Sequence, residues 1–156
     1  IRIANSFLNR RKSRAGSSLE LHLEKIFSDL SLSFDRQART EGKKKPDFLF
    51  PGEFAYHAKD ENGIFIFDSH KLTMLGSKTT CKDRWRQVLN EADRIPNKHL
   101  FTLQEGISDD QIREMTDHQL TLVVPKKSKE SFGVFGRSKV ITLEDFIRDV
   151  RIQQSA

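Results

Sequence analysis

Cysteine is nearly absent from this chain: Cys81 is the only one among 156 residues. A single cysteine cannot form an internal disulfide or a paired-cysteine metal site, and it is typical of a reducing environment. No apolar run approaches the roughly 18 residues that a membrane-spanning helix requires, and no signal peptide is recognisable. We therefore expect an intracellular, cytoplasmic protein that has no membrane partner.

Other missing patterns narrow the chemistry further. No glycine-rich phosphate-binding loop is present, so we expect no nucleotide cofactor. The five histidines show no HxH or HxxxH spacing, which argues against a zinc site. They are His22, His57, His70, His99 and His118. With only 8 Gly and 4 Pro the chain is not of low complexity, and its 12 Phe can build a core.

The positive charge of the chain, +5 overall, is concentrated in a few places. Basic clusters of this kind suggest a polyanionic partner, although a solvated surface is the simpler interpretation of any one of them. Residues 1–16 are predicted to form a basic arm. The clusters comprise Arg10, Arg11, Lys12 and Arg14 in that arm, then Lys43, Lys44 and Lys45, and later Lys126, Lys127 and Lys129.

Hydrophobic periodicity predicts strands that alternate with helices. Helices are expected near 17–30, 81–94, 108–116 and 143–153, and strands near 33–39, 47–50, 71–78, 99–103 and 119–124. The stretch from Phe54 to Phe67 fits either a strand or an irregular insertion. This order predicts an α/β fold, a central mixed β-sheet flanked by helices, in one domain that spans 1–156.

Three charged residues could meet at one end of such a sheet. Asp47 opens one predicted strand, Lys78 closes another, and Glu91 borders the buried stripe of the predicted helix that follows. Two carboxylates can hold Mg²⁺, and a lysine beside them can stabilise charge that develops on a phosphate. Taken alone, each of these residues is better explained by a surface ion pair.

A family resemblance favours the catalytic interpretation. The segments KKPDFLFPG and LTMLGSKTTCKDRWRQVLNEADRI resemble the catalytic region of EcoRII-like type II restriction endonucleases, a branch of the PD-(D/E)xK nucleases. RRKSRAGSSLELHLE, KHLFTLQEGIS and LTLVVP resemble regions before and after it. The resemblance implies a restriction-endonuclease-like fold in a prokaryotic homodimer. It also implies Mg²⁺-dependent cleavage of double-stranded DNA at a CCWGG-like site.

The same resemblance implies roles for individual residues. Asp47 and Glu91 would be metal ligands, and Lys78 would be the catalytic lysine. Glu20 resembles a further acidic position, where it could contact the lysine or a metal-bound water. The chain departs from the general superfamily pattern at Gly76, where an acidic residue usually stands, and the resemblance implies that Glu91 on the next helix replaces it.

Base recognition is expected at the triplet Lys82, Asp83 and Arg84, at the start of the helix predicted after Lys78. Lysine and arginine can donate to guanine, and aspartate can accept from cytosine, so by the resemblance this triplet reads C:G pairs. An exposed, self-neutralising helix turn is the alternative. In relatives the central bases are flipped out of the stack, and a flipped base fits a pocket with aromatic walls. Several Phe and Tyr56 could form such walls, although most Phe and also Trp85 are expected in the core. The four basic residues of the arm are expected to grip phosphates.

Two other functions remain open at this point. The chain could be a structure-selective repair nuclease on the same fold, or a sequence-specific DNA-binding module that does not cleave. The triplet argues against the first, and the intact set of Asp47, Lys78 and Glu91 argues against the second.

Overall fold

One mixed β-sheet of six strands organises residues 18–155, which are the residues described by the computed structural model. The predicted arm at 1–16, with its four basic residues, lies outside the described residues. The strands follow one another across the sheet in chain order. They are β1 (Asp35–Arg36), β2 (Phe48–Phe50), β3 (Thr73–Lys78), β4 (Lys98–Thr102), β5 (Leu120–Val124) and β6 (Ile141–Thr142).

Strand direction determines which chain ends share an edge of the sheet. β1, β2 and β3 pair antiparallel, with Phe48 opposite Leu75, whereas β3 to β6 are all parallel, with Lys78 opposite Thr102. Because β2 runs against β3, the residue before β2 lies beside the residues that end β3. The start of β2 and the ends of β3 and β4 therefore meet at one edge.

Helices cover both faces of the sheet, as predicted. A first helix, α1, occupies residues 18–29 of the described chain. The others are α2 (Glu53–His57), α3 (Trp85–Val88), α4 (Asp109–Asp117), α5 (Val134–Lys139) and α6 (Leu143–Ser155), with short 3₁₀ turns at Ser69–Lys71 and Lys126–Ser131. None of the helices within 18–155 combines the length and the apolar character needed to cross a membrane.

Side chains alternate along β2 between two hydrophobic clusters, one on each face of the sheet. Phe48 and Phe50 join the cluster under α1 and α6, where the Phe27 ring lies 5.2 Å and 5.3 Å from theirs. Leu49 joins the opposite cluster, which contains Trp85 and is covered by α2, α3 and α4. The expectation that Trp85 belongs to the core is confirmed.

The prediction of a helix over 81–94 is wrong, because only the four residues of α3 are helical there. Lys82 and Ala92 adopt φ angles of +35° and +49°, a left-handed backbone that interrupts a right-handed helix on either side. The strand predicted over 33–39 is likewise reduced to β1, because Gln37 has a φ of +51°. The ambiguous 54–67 stretch contains α2 and a hairpin bridged between Lys59 and Phe65.

Candidate active site

Asp47 lies directly before β2, at the shared edge, and its carboxylate is held from two sides. Its Oδ2 accepts hydrogen bonds from the backbone N–H of Ser77, at 2.8 Å, and from the Ser77 hydroxyl, at 3.4 Å. Its Oδ1 accepts from Gln37 Nε2 at 3.1 Å. Burial raises the pKa of Asp47 to about 6, against the opposing effects of the Ser77 amide and the Lys78 charge.

Lys78 is the last residue of β3, one position after the residue that binds Asp47. Its positive charge lowers the pKa of both Asp47 and Glu91 against the larger effect of burial, so its ammonium is within electrostatic reach of both carboxyl groups. Among the residues at 18–155 its ammonium makes no ion pair within 4 Å.

Glu91 completes the set, but the expectation that it lies on a helix is wrong. It follows the end of α3 by three residues and lies in a bend. Its Oε2 is buried and has no hydrogen-bond partner in the described chain. Burial, together with the negative charge of Asp47, raises the pKa of Glu91 to about 7. Asp47, Lys78 and Glu91 are thus close enough for their charges to influence the pKa values of the two carboxyl groups.

Lys98, at the start of β4, stabilises the turn of the chain after Glu91. Its buried ammonium donates to the carbonyls of Ala92, at 2.6 Å, and Ile95, at 2.5 Å. These bonds satisfy carbonyl groups of the segment that replaces the predicted helix. Burial lowers the pKa of Lys98, and nearby carboxylates, Glu91 among them, oppose that shift.

Gly76 leaves little room for the acidic residue that usually occupies its position in the superfamily. A Cβ atom at residue 76 would lie 3.2 Å from Val88 Cγ2 and 3.4 Å from Leu100 Cδ1. The first distance is tighter than ordinary carbon contacts, so no larger side chain fits beneath α3 without displacement. An acidic side chain at residue 76 would have to displace these neighbours, which is consistent with the expectation that Glu91, beyond α3, replaces it.

Glu20, on α1, approaches the site from the other face of the sheet. It accepts hydrogen bonds from Arg36 Nε and from Gln37 Nε2, each at 3.1 Å. Gln37 thereby bridges Glu20 and Asp47, and the Glu20 carboxyl helps to raise the pKa of Asp47. The expected contact of Glu20 with Lys78 is not among the ion pairs of the described residues; its partner there is Arg36.

The donor set fits a hard divalent cation. Residues 18–155 contain no cluster of three or more His, Cys, Asp and Glu side chains arranged as metal ligands. Two carboxylates are nevertheless enough for Mg²⁺, which keeps several waters when it binds proteins. The buried and unpartnered Oε2 of Glu91 is an acceptor that lacks the partner such groups normally have, and a cation would supply it.

Sequence reasoning missed three residues that shape this site: Gln37, Ser77 and Lys98. Ser77 could have been suspected because it precedes Lys78. Lys98 carries a weaker signal, a charged residue at the start of an apolar strand. Gln37 carries none, since an exposed glutamine in a left-handed turn has no distinguishing sequence pattern.

The triplet of Lys82, Asp83 and Arg84 is exposed on a turn just before α3. The triplet lies at the N-terminus of α3, as expected, but Lys82 and Asp83 precede the helix rather than forming its first turn, and Arg84 occupies its N-cap position. Of the aromatic residues considered for a base pocket, Tyr56 is buried and donates its hydroxyl proton to Glu41. Tyr56 therefore offers no free aromatic wall in this conformation.

Comparison with known proteins gives matches over nearly the whole chain. A family model described as EcoRII C terminal matches residues 1–147. The type II restriction enzyme EcoRII of Escherichia coli is 53% identical over 151 residues, which are 96% of this chain and 36% of that enzyme. The type II restriction enzyme SsoII of Shigella sonnei is 26% identical, over 94% of this chain and 48% of that enzyme. The chain thus spans less than half the length of these relatives.

Solved structures match the chain in fold as well. Metal-depleted Ecl18kI in complex with uncleaved, modified DNA has a TM-score of 0.80 and 24% identity, and the match covers 97% of this chain and 49% of that one. A complex of the restriction endonuclease PspGI with substrate DNA has a TM-score of 0.77 and 17% identity, over 99% of this chain and 67% of that one. The predicted restriction-endonuclease-like fold is confirmed.

Proposed function

The chain belongs to the EcoRII C-terminal family, as its motifs predicted, and on that premise we propose that it is a catalytic endonuclease domain. It would hydrolyse phosphodiester bonds of double-stranded DNA at a specific site of the CCWGG kind, with Mg²⁺. The single observation that carries this proposal is the electrostatic coupling of Glu91, whose buried carboxylate oxygen has no partner in the described chain, with Asp47 and Lys78 at the sheet edge.

In the proposed reaction, water attacks phosphorus, the bond to the 3′ oxygen breaks, and the products carry a 5′-phosphate and a 3′-hydroxyl. Asp47 and Glu91 would hold Mg²⁺, which would supply positive charge that polarises the phosphate and makes water a stronger nucleophile. Lys78 orients the attacking water and stabilises the negative charge that develops on the phosphate oxygens. Ser77 and Gln37 keep the Asp47 carboxylate in place through their hydrogen bonds.

Glu20 is proposed as a supporting carboxylate rather than a metal ligand. Gln37 Nε2 lies 3.1 Å from both Glu20 and Asp47, so the two carboxyl groups share one donor. Arg36 balances the charge of Glu20 with its own ion pair. This arrangement fixes the position of the Gln37 side chain, and through it one oxygen of Asp47.

Recognition of DNA is proposed for the turn that follows β3. Lys82 and Arg84 would donate to guanine in the major groove and Asp83 would accept from cytosine. The basic arm residues Arg10, Arg11, Lys12 and Arg14 would bind phosphates. A two-fold symmetric DNA site is matched by a two-fold symmetric protein, so the proposed active form is a homodimer.

The experiment that tests this proposal is digestion of a plasmid with Mg²⁺, followed by sequencing of the ends. We expect cuts at one defined sequence, none in EDTA, and retained specific binding without cutting for Lys78→Ala. Cuts only at junctions or free ends would favour a structure-selective repair nuclease. Specific binding without any cutting by the unaltered chain would favour a DNA-binding module.

A further inference from the structure

The turn that carries Lys82, Asp83 and Arg84 receives its support from the segment that follows β4, through side-chain hydrogen bonds. Residues 79–84 connect the end of β3 to α3 and include both the triplet and the buried Cys81. Gln104 lies two residues beyond β4. Its Oε1 accepts from the backbone N–H of Cys81 at 2.9 Å, from the N–H of Lys82 at 3.3 Å, and from Cys81 Sγ at 3.4 Å.

Gln104 is itself anchored to the strand. Its backbone N–H donates to Thr102 Oγ1 at 3.1 Å, and the Thr102 hydroxyl donates to the Thr79 carbonyl at 3.2 Å. Thr102 is fully buried and pairs in register with Lys78. The turn is thereby tied to the strand end that carries the proposed catalytic lysine.

The backbone of the turn needs this support. Lys82 has a φ of +35°, a conformation that side chains with a Cβ adopt rarely and keep only where their surroundings hold it. The three side chains of the triplet are exposed, so they contribute little packing of their own. Besides Gln104, the side chain of Gln111 reaches the turn and donates to the Lys82 carbonyl at 2.8 Å.

We propose that Gln104 is a positioning residue for base recognition, which fixes the turn from which Lys82, Asp83 and Arg84 face the DNA. This inference rests on the proposed function, in which the triplet reads bases. Bidentate bonds to base edges need donors held in one geometry, whereas contacts to phosphates tolerate a mobile turn. Gln104 thus contributes to the preference for the cognate site more than to DNA affinity in general.

The hydrogen bonds of Gln104 allow its positioning role to be tested by substitutions that keep or remove the acceptor oxygen. All its side-chain bonds to the turn are accepted by Oε1, so Gln104→Glu keeps the acceptor and Gln104→Met, of similar length, removes it. The matched control is Gln154→Met on α6, which loses two side-chain bonds to the Ser33 backbone far from the turn. The affinity of each full chain is measured in EDTA for a CCWGG duplex and for the same duplex with its C:G pairs inverted.

For Gln104→Met we expect the affinity ratio of the two duplexes to fall about tenfold, the loss of one base contact, with little change for the inverted duplex. Gln104→Glu should keep the ratio, even if its added negative charge weakens binding to both duplexes equally. Gln154→Met should keep it as well. By amide hydrogen exchange, Cys81 and Lys82 should exchange faster in Gln104→Met than in Gln104→Glu.

A ratio unchanged by Gln104→Met, or one that falls as much in Gln154→Met or Gln104→Glu, would overturn the inference. Should Gln104→Met fail to fold, Gln104→Asn replaces it, because its amide is one methylene too short to reach the turn and the same loss is expected. Arg84→Ala separates the two hypotheses: if it lowers the ratio and Gln104→Met does not, only the positioning role fails. If neither variant changes the ratio, the proposed base-reading triplet is wrong.

Discussion

Replacing Glu91 by glutamine should stabilise the metal-free protein at alkaline pH, because the site holds this carboxyl where ionisation is unfavourable. Its Oε2 is buried without a partner, and its pKa is raised from 4.5 to about 7 by burial and by Asp47. In the unfolded chain Glu91 ionises near pH 4.5, and in the folded chain only near pH 7. The free energy of unfolding therefore falls as pH rises through that window and levels off above it.

The size of this effect follows from the two pKa values. A rise from 4.5 to about 7 corresponds to roughly 3 kcal/mol at most. The residue is only half-buried, so solvent screening should leave a measured effect of about 1–2 kcal/mol. Glutamine cannot ionise and should not show this loss.

Urea unfolding in EDTA at pH 5 and pH 8 measures the difference directly. We expect the stability of Glu91→Gln relative to the unaltered chain to be greater at pH 8 than at pH 5 by that amount. At pH 8, added Mg²⁺ should stabilise the unaltered chain more than the variant, because only the former keeps both proposed ligands. A stability difference between the two proteins that is identical at both pH values would refute this account of the site.

Two further substitutions test the segments around the site. Gly76→Ala should destabilise the protein by about 1–3 kcal/mol in urea unfolding, because its Cβ would lie 3.2 Å from Val88 Cγ2. Adding Val88→Ala should recover part of that loss. If the effects of the two substitutions simply add, the two side chains are not in contact. Lys98→Met should lower the free energy of unfolding by about 1–3 kcal/mol, since it leaves the Ala92 and Ile95 carbonyls without their ammonium partner. It should also increase the rate of amide hydrogen exchange across 91–95. Unchanged exchange there would show that Lys98 does not hold the segment.

Sequence reasoning succeeded where side-chain pattern decides the outcome. Trp85 is buried as predicted, and the apolar residues Val88 and Ala92 that follow it at helical spacing are buried with it, because apolar spacing selects residues for burial whether or not the backbone between them is helical. The pattern could not show that the backbone leaves the helix at Lys82 and Ala92. Neither residue is a glycine or asparagine, so no local signal marks their left-handed conformations.

The candidate site shows the same division. Asp47, Lys78 and Glu91 were predicted chiefly from the family resemblance, since their spacing alone is a weak signal. The sheet topology brings Asp47 close to the end of β3, whereas Glu91 comes from the segment after α3. The residues that hold them, such as Gln37 and Lys98, act through hydrogen bonds between segments distant in sequence. Such contacts depend on the tertiary structure, which residue spacing in the sequence does not predict.

The central claim is that Asp47 and Glu91 together hold a divalent cation beside Lys78. The most direct test is calorimetric titration of Mg²⁺ into the complex of Lys78→Ala with cognate DNA, because this variant should bind the DNA but not cut it. The same titration is then carried out with two double variants, in which Lys78→Ala is combined with Asp47→Asn or with Glu91→Gln. The account predicts Mg²⁺ binding beyond that of the free duplex, and its loss or strong weakening in each double variant. Undiminished Mg²⁺ binding in both double variants would contradict it.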